Sequence, residues 1–384
     1  MIGQAVHPLL PMPDHDELAR QNFVKSLKLH IATKIVAGNK IVYERRVRPA
    51  FEKAHGRPPT DRREILDAMI DDVYYSLWGS LFRTSQEMSW DCVLPSVDRQ
   101  HEFLNQTAGD SGTALGHLEL DHELEIPHYL KAVDFHAMPG GYHREFGDDD
   151  VSQGALYDRG AYLYSMGSWG PMLDAMGQRM TSYIQEAYPD FAPESILDMG
   201  CSIGHSTLPY ADAFPDAEIF AIDVAAPLLR YGHARAEHFG KKIAFSQQNC
   251  EATNFPDGSF DLIVSHILVH EMPAKAIDAM LRECHRLLRP GGMTLHVDLS
   301  LYQDLDLFDE AMLDWDTHFN NEPFWNVVRQ RKPAEMMAAA GFPEGQVIER
   351  LVSRVSNTSP IFVEGRNSGG RSSWFIFGAR KEAA

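Results

Sequence analysis

Residues 196–207 read Ile196-Leu197-Asp198-Met199-Gly200-Cys201-Ser202-Ile203-Gly204-His205-Ser206-Thr207, and the fold turns on how that stretch is parsed. A short apolar run, Ser195–Met199, breaks at a glycine and runs on into a helix-compatible stretch, which is how a strand buried on both faces reads. Gly200 and Gly204 let the backbone approach a ligand closely, and the helix that follows presents free N–H groups. Outward from there, Glu218–Ile222 reads as a second strand ending in Asp223, 23 residues after Gly200, where a carboxylate can accept from both hydroxyls of a ribose. Ile243–Ser246, Leu262–Ser265 and Thr294–Val297 continue the pattern, with helical stretches between them, so βαβ units and a parallel sheet are predicted. Two further strands near 346–352 and 373–379, joined through Asn367-Ser368-Gly369-Gly370, make the last strand antiparallel.

The glycine turn and the acid leave a nicotinamide dinucleotide and S-adenosylmethionine both open. Three further features separate them. The loop has the form Asp-x-Gly-x-x-x-Gly, with Ser202 where a dinucleotide fingerprint needs its middle glycine to seat a pyrophosphate. Asn249-Cys250-Glu251-Ala252-Thr253-Asn254-Phe255-Pro256-Asp257-Gly258-Ser259-Phe260-Asp261 precedes the fourth strand, and Leu287-Leu288-Arg289-Pro290-Gly291-Gly292 launches the fifth. Taken together these motifs resemble the class I S-adenosylmethionine-dependent methyltransferases, most closely the ubiquinone/menaquinone-type and small-molecule branch. The resemblance covers about residues 190–300, extends more weakly over 300–384, and does not reach 1–150.

The resemblance implies a doubly wound, seven-stranded, Rossmann-like α/β sheet over residues 151–384, with S-adenosylmethionine as cofactor and a mid-sized small molecule as methyl acceptor at oxygen, carbon or nitrogen. It implies that Asp198, Gly200, Cys201 and Gly204 surround the methionine part of the cofactor. Asp223 and Val224 then hold the ribose, Glu251 and Ala252 the adenine edge, and Ser265 and His266 the methyl-donor side. Two departures stand out: Ser202 replaces a common glycine, tolerable at negative φ, and Glu251 replaces the more usual Asp. Cys201 could be a redox sensor, but a small residue that simply packs is the expected reading.

Candidate chemistry beyond the cofactor follows from residue type. A methyl leaves a sulfonium by in-line displacement, so a protein base is needed only where the acceptor must lose a proton. His266 and His270 lie four apart in Ser265-His266-Ile267-Leu268-Val269-His270-Glu271, and histidine titrates near neutrality. Asp314-Trp315-Asp316-Thr317-His318-Phe319-Asn320-Asn321-Glu322-Pro323-Phe324-Trp325 mixes aromatic and hydrogen-bonding groups in the way an acceptor pocket does, so His318 is a third candidate base, with Trp315, Asn321 and Trp325 as acceptor contacts. Tyr157, Tyr162 and His143, just ahead of the first strand, are candidates for a lid over the acceptor. No metal is expected: His266, His270 and Glu271 are not in His-Glu-x-x-His order, and Pro127 breaks the helix that Asp121-His122-Glu123-Leu124-Glu125-Ile126-Pro127-His128 would need.

Composition bounds the rest. The chain has 384 residues with 54 Asp and Glu against 35 Lys and Arg, a formal charge of −19. So acidic a surface repels phosphate backbones and anionic lipid, and no apolar run is long enough for a membrane span. Cys92, Cys201, Cys250 and Cys284 form no Cys-x-x-Cys pair, and the N-terminus shows no signal-peptide pattern, so a reducing cytoplasm is expected. Residues 1–150 read as a mostly helical domain carrying a lid or a homodimer surface. Within it, residues 18–63 hold 12 Lys and Arg against 3 Asp and Glu, while residues 64–150 hold 4 against 18. That contrast is expected to be satisfied mainly by packing one half on the other. Apolar residues at Val24, Leu27, Ile31 and Ile35 predict a helix stopped by His55-Gly56-Arg57-Pro58-Pro59, and Thr60 is expected to cap the next. Two rival readings remain: a non-catalytic S-adenosylmethionine-binding scaffold, and a nicotinamide-dependent oxidoreductase.

Overall fold

The computed structural model describes residues 3–110, 114–299, 301–302, 305–353 and 373–383. Its centre is one sheet built from β1 (His117–Glu119), β2 (Ser195–Met199), β3 (Glu218–Asp223), β4 (Ala244–Gln247), β5 (Phe260–His266), β6 (Leu288–Asp298), β7 (Val347–Ser353) and β8 (Ser373–Arg380). The strand order is β1-β4-β3-β2-β5-β6-β8-β7, parallel throughout except that β8 runs antiparallel to both β6 and β7. Every residue of β2 is buried, as a central parallel strand covered on both faces must be.

All seven strands expected from the sequence are present. The sheet has an eighth, β1, because His117–Glu119 adds parallel to β4 at the edge. Its three residues, Leu118 half-buried between exposed His117 and Glu119, alternate over too short a span for periodicity to mark a strand. The antiparallel last strand is as expected; the turn at Asn367–Gly370 proposed to produce it lies outside the described residues, as do Ser111 and Gly112 of the loop that precedes β1.

Chain direction places the functional region. From β2 the chain winds outward through β3 and β4, then returns to lay β5 against the other side of β2. The loops leaving β2 and β5 therefore diverge and open a crevice at their C-terminal ends.

The N-terminal part is helical. His15–His30 leads through two short π-turns and Ala37–Val42 into Arg48–His55, which ends at Gly56 with φ 69°. The next helix, Arg62–Ile70, is capped by Asp61, whose side chain accepts from the Glu64 N–H, rather than by Thr60; the Thr60 N–H instead donates to Glu64 at 2.9 Å. The basic run is neutralised from two directions. Arg46 forks onto Asp72 at 2.8 and 3.0 Å, and Arg57 pairs with Glu64, but Lys40 reaches Asp306 and Arg62 reaches Asp314 at 2.6 Å.

One aromatic core explains the second direction. Trp78 and Phe82, on helix Val73–Asp91, meet Trp315 of helix Leu307–Phe319 with ring centroids 5.3 and 4.7 Å apart. A side chain at Gly79 would come within 2.9 Å of the Trp315 indole nitrogen, so glycine is what allows this approach. Among the described residues no helix is long and apolar enough to cross a membrane.

Candidate functional site

A crevice opens at the ends of β2, β3 and β5, lined by the loops that leave those strands and by residues 126–157. Its floor is the glycine loop. Gly200 and Gly204 have φ of +70° and +68°, and a Cβ on either would lie 2.6 Å from the Leu268 side chain or 2.9 Å from the Phe245 ring. Ser202 also takes a left-handed conformation, with φ 51°, contrary to the negative value its serine suggested. Its N–H donates to Asp223 Oδ2 at 2.9 Å, a bond that fixes the strained turn.

Asp223 projects from the end of β3, and its other oxygen accepts from the Ala225 N–H at 2.9 Å. Burial pushes its carboxyl from 3.8 up to about 6, against the backbone N–H groups that favour the ionised form. Asp198, one residue before the end of β2, accepts from the Thr207 hydroxyl at 2.6 Å and lies 3.3 Å from His266 Nδ1. His266 Nε2 is 3.1 Å from the Tyr210 hydroxyl. A tautomer protonated at Nδ1 satisfies both contacts, so the His266 ring is held on both sides.

The opposite wall comes from Ile126, Tyr129, Tyr142, His143 and Tyr157. Burial and nearby Lys131 hold His143 below its ordinary value, so it faces the cleft as a neutral imidazole. Burial drives His205 down to about 3, too weak a base to act near neutrality. Tyr142 donates to Glu271 at 2.7 Å, and Tyr157 sits between the Tyr142 and His205 rings.

The structure thus brings Asp198, Gly200, Cys201, Asp223, Val224, His266, His143 and Tyr157 to one cleft, with Gly204 packed immediately beneath. Cys201 is buried and its thiol is pushed well above its usual value by that burial and by Asp223 and Asp198, which leaves it protonated and inert. Glu251 and Ala252 stand beside the cleft, where Gln248, Asn249 and Cys250 form the wall instead; Glu251 accepts from the Tyr129 hydroxyl at 3.1 Å. Ser265 points into the sheet and bonds His296 at 2.8 Å.

Several candidates from the sequence lie elsewhere. His318 and Trp315 border a separate hollow beside Tyr75 and Gly79. Tyr162 is buried under Lys25, which donates to its hydroxyl at 3.0 Å. Asn321 ties two loops together, donating to the Asp134 carbonyl at 3.0 Å and accepting from Arg83 at 3.1 Å. Trp325 stands edge-on to His270, 5.1 Å between ring centroids. His270 faces away from the floor, its Nδ1 2.7 Å from Asp298.

Behind Glu271 lies a group that the sequence did not assemble. His136, His270, Glu271 and Glu322 are all buried, and one donor atom from each lies within 4.8 Å of the others. Burial alone would lower His136, but the Glu322 and Glu271 carboxylates beside it reverse the sign and hold it well above its ordinary value. His136 and Glu322 are 186 positions apart, and the only local signals are Pro139-Gly140-Gly141 after one and Pro323 after the other.

Comparison with known proteins agrees with the glycine loop. Residues 196–292 match the family described as a methyltransferase domain. A demethylmenaquinone methyltransferase of Lactococcus lactis is 27% identical over 169 residues, 42% of this chain and 65% of its own. A ubiquinone/menaquinone biosynthesis C-methyltransferase of Hahella chejuensis is 34% identical over 112 residues, 28% of this chain and 44% of its own. An arsenite methyltransferase of Aquipseudomonas alcaligenes is 29% identical over 128 residues, 31% of this chain and 36% of its own. The chain therefore spans between about a third and two thirds of the length of these curated relatives.

Proposed function

We propose that this chain is an S-adenosylmethionine-dependent methyltransferase that acts at oxygen, carbon or nitrogen of a mid-sized small molecule. One observation carries the reading. The cleft at the ends of β2, β3 and β5 combines a glycine cradle that a Cβ would fill with a buried carboxylate, Asp223, fixed beside it by the Ser202 and Ala225 N–H groups. That donor set fits the cofactor. When bound there, it supplies an electrophilic methyl on a positively charged sulfur.

The chain's own residues do the rest. Asp223 accepts hydrogen bonds from a ribose diol, and Gln248, Asn249 and Cys250 border the base. The Asp198–His266–Tyr210 chain holds the loop wall rigid, which keeps an acceptor and a methyl group in line. Tyr129, Tyr142 and Tyr157 close the space from the other side and exclude water. For an acceptor that must lose a proton, His143 is the cleft-facing imidazole held neutral, and so the group best placed to take it. Four buried, unpaired cysteines suit a reducing cytoplasm.

Calorimetric titration with S-adenosylmethionine and S-adenosylhomocysteine tests this reading. Micromolar binding to the wild type, weakened by about tenfold to a hundredfold in Asp223→Ala, is expected from the loss of hydrogen bonds to a charged acceptor. No binding to folded, ligand-free protein overturns it.

A further inference from the structure

The buried group behind Glu271 takes no part in the chemistry described above. His136 Nε2 lies 3.0 Å from Glu271 Oε1, His136 Nδ1 lies against Glu322 Oε1, and His270 Nε2 is 3.9 Å from Glu271 Oε1. Two atoms in the group have no hydrogen-bond partner, His270 Nε2 and Glu322 Oε2. Both belong to side chains almost wholly removed from solvent, at 1% and 0% exposure. Leaving a buried polar atom unmatched is costly, so two such atoms within one cluster call for an occupant.

We propose that His136, His270, Glu271 and Glu322 bind a divalent first-row transition cation of the zinc type at the acceptor end of the cleft. Two imidazoles and two carboxylates are a mixed nitrogen and oxygen set, which suits zinc, iron or manganese and not the all-oxygen preference of calcium or magnesium. Donors about 2.0–2.2 Å from a shared cation stand roughly 3.3–3.6 Å apart in a tetrahedron. Donor atoms already within 4.8 Å of one another need only small side-chain rotations to reach that.

The surroundings are those a metal site needs. Asp298 holds His270 Nδ1 at 2.7 Å, which leaves Nε2 as the lone-pair nitrogen facing the group. The Tyr142 hydroxyl donates to Glu271 at 2.7 Å, and the His136 N–H to Glu322 at 3.1 Å. Asn321 joins the loops of His136 and Glu322 through the Asp134 carbonyl, and Trp325 stands edge-on to His270. Glu271 is the ligand that also lines the cleft, so the cation would fix the orientation of that carboxylate at the acceptor end. That last role rests on the methyltransferase reading; the binding of the cation does not.

The test uses the full chain, stripped with a chelator and then given Zn²⁺, Fe²⁺ or Mn²⁺ singly, with bound metal measured by plasma mass spectrometry. About one equivalent per chain and a raised melting temperature are expected with at least one of them. Co²⁺ should give visible d–d absorption in the wild type, a readout independent of any variant's folding. His270→Ala and Glu322→Gln should each lose the metal, and Asp298→Asn should weaken it by about 10–100-fold. No retained metal, no Co²⁺ spectrum and no thermal shift would show that a water or a proton occupies the group, and would overturn the proposal. S-adenosylhomocysteine titration of the same samples separates the two readings. Binding without metal removes this inference alone, and metal without binding removes the methyltransferase reading alone.

Discussion

The two walls of the cleft face each other across one space but are assembled differently. The floor and inner wall come from consecutive strand ends: Gly200–Gly204 after β2, Asp223 after β3, Gln248–Cys250 after β4 and His266 at the end of β5. Its key positions are set by local rules, a glycine turning with positive φ at 200 and 204 and a carboxylate at the last residue of β3. The outer wall and the group behind it take Tyr129, His136, Tyr142 and Tyr157 from one region and Glu271 and Glu322 from two others. His136 and Glu271 are separated by 135 positions. The first wall is fixed by the sheet, whereas the second exists only once tertiary packing has brought its loops together. A shared fold can therefore keep the cofactor side constant while the acceptor side varies.

The contrast can be broken by mutation. Trp315→Ala, which empties the aromatic core between Trp78 and Phe82, is expected to cost about 3–5 kcal/mol in urea denaturation. Its folded fraction should still bind S-adenosylhomocysteine normally, because Trp315 supports neither wall directly. Gly204→Ala, by contrast, strains the inner wall itself. A left-handed alanine costs about 1–2 kcal/mol, and its Cβ would stand 2.9 Å from the Phe245 ring, so loss of stability and of ligand binding should appear together.

The Asp223 carboxyl sharpens the picture through pH. Its folded value, about 6, is above the ordinary 3.8, so the folded state holds that proton more tightly and this group's contribution to stability falls as pH rises between those values. Ligand binding runs the other way: protonation removes acceptor capacity, and calorimetry should show S-adenosylhomocysteine affinity falling as pH drops through about 6. Asp223→Asn should bind more weakly and without that pH dependence. The smallest effect is expected for His318→Ala, which removes a side chain from the separate hollow and should leave the calorimetric affinity unchanged within experimental scatter.

Legibility followed the same division. The strands with apolar runs, the glycine loop and Asp223 were readable because strand burial and turn geometry act over a few residues. The condition set for Ser202, a negative φ, is not met, since a serine carries no mark of the N–H bond to Asp223 that holds it at positive φ. β1 is hard to read because its alternation spans only three residues. His318 and Trp315 sat in a stretch with the right residue types, yet helix Leu307–Phe319 turns that face toward Trp78 and away from the cleft. His136 and Glu322 were invisible as partners because they lie 186 positions apart and no local rule encodes their meeting.

The most direct measurement is hydrogen–deuterium exchange with and without S-adenosylhomocysteine. Slowed exchange is expected at the N–H groups of 200–206, 223–228 and 248–252, with a smaller effect at 126–143. Protection confined to the outer wall, or none at saturating ligand, would contradict the assignment of the cofactor to the ends of β2, β3 and β4.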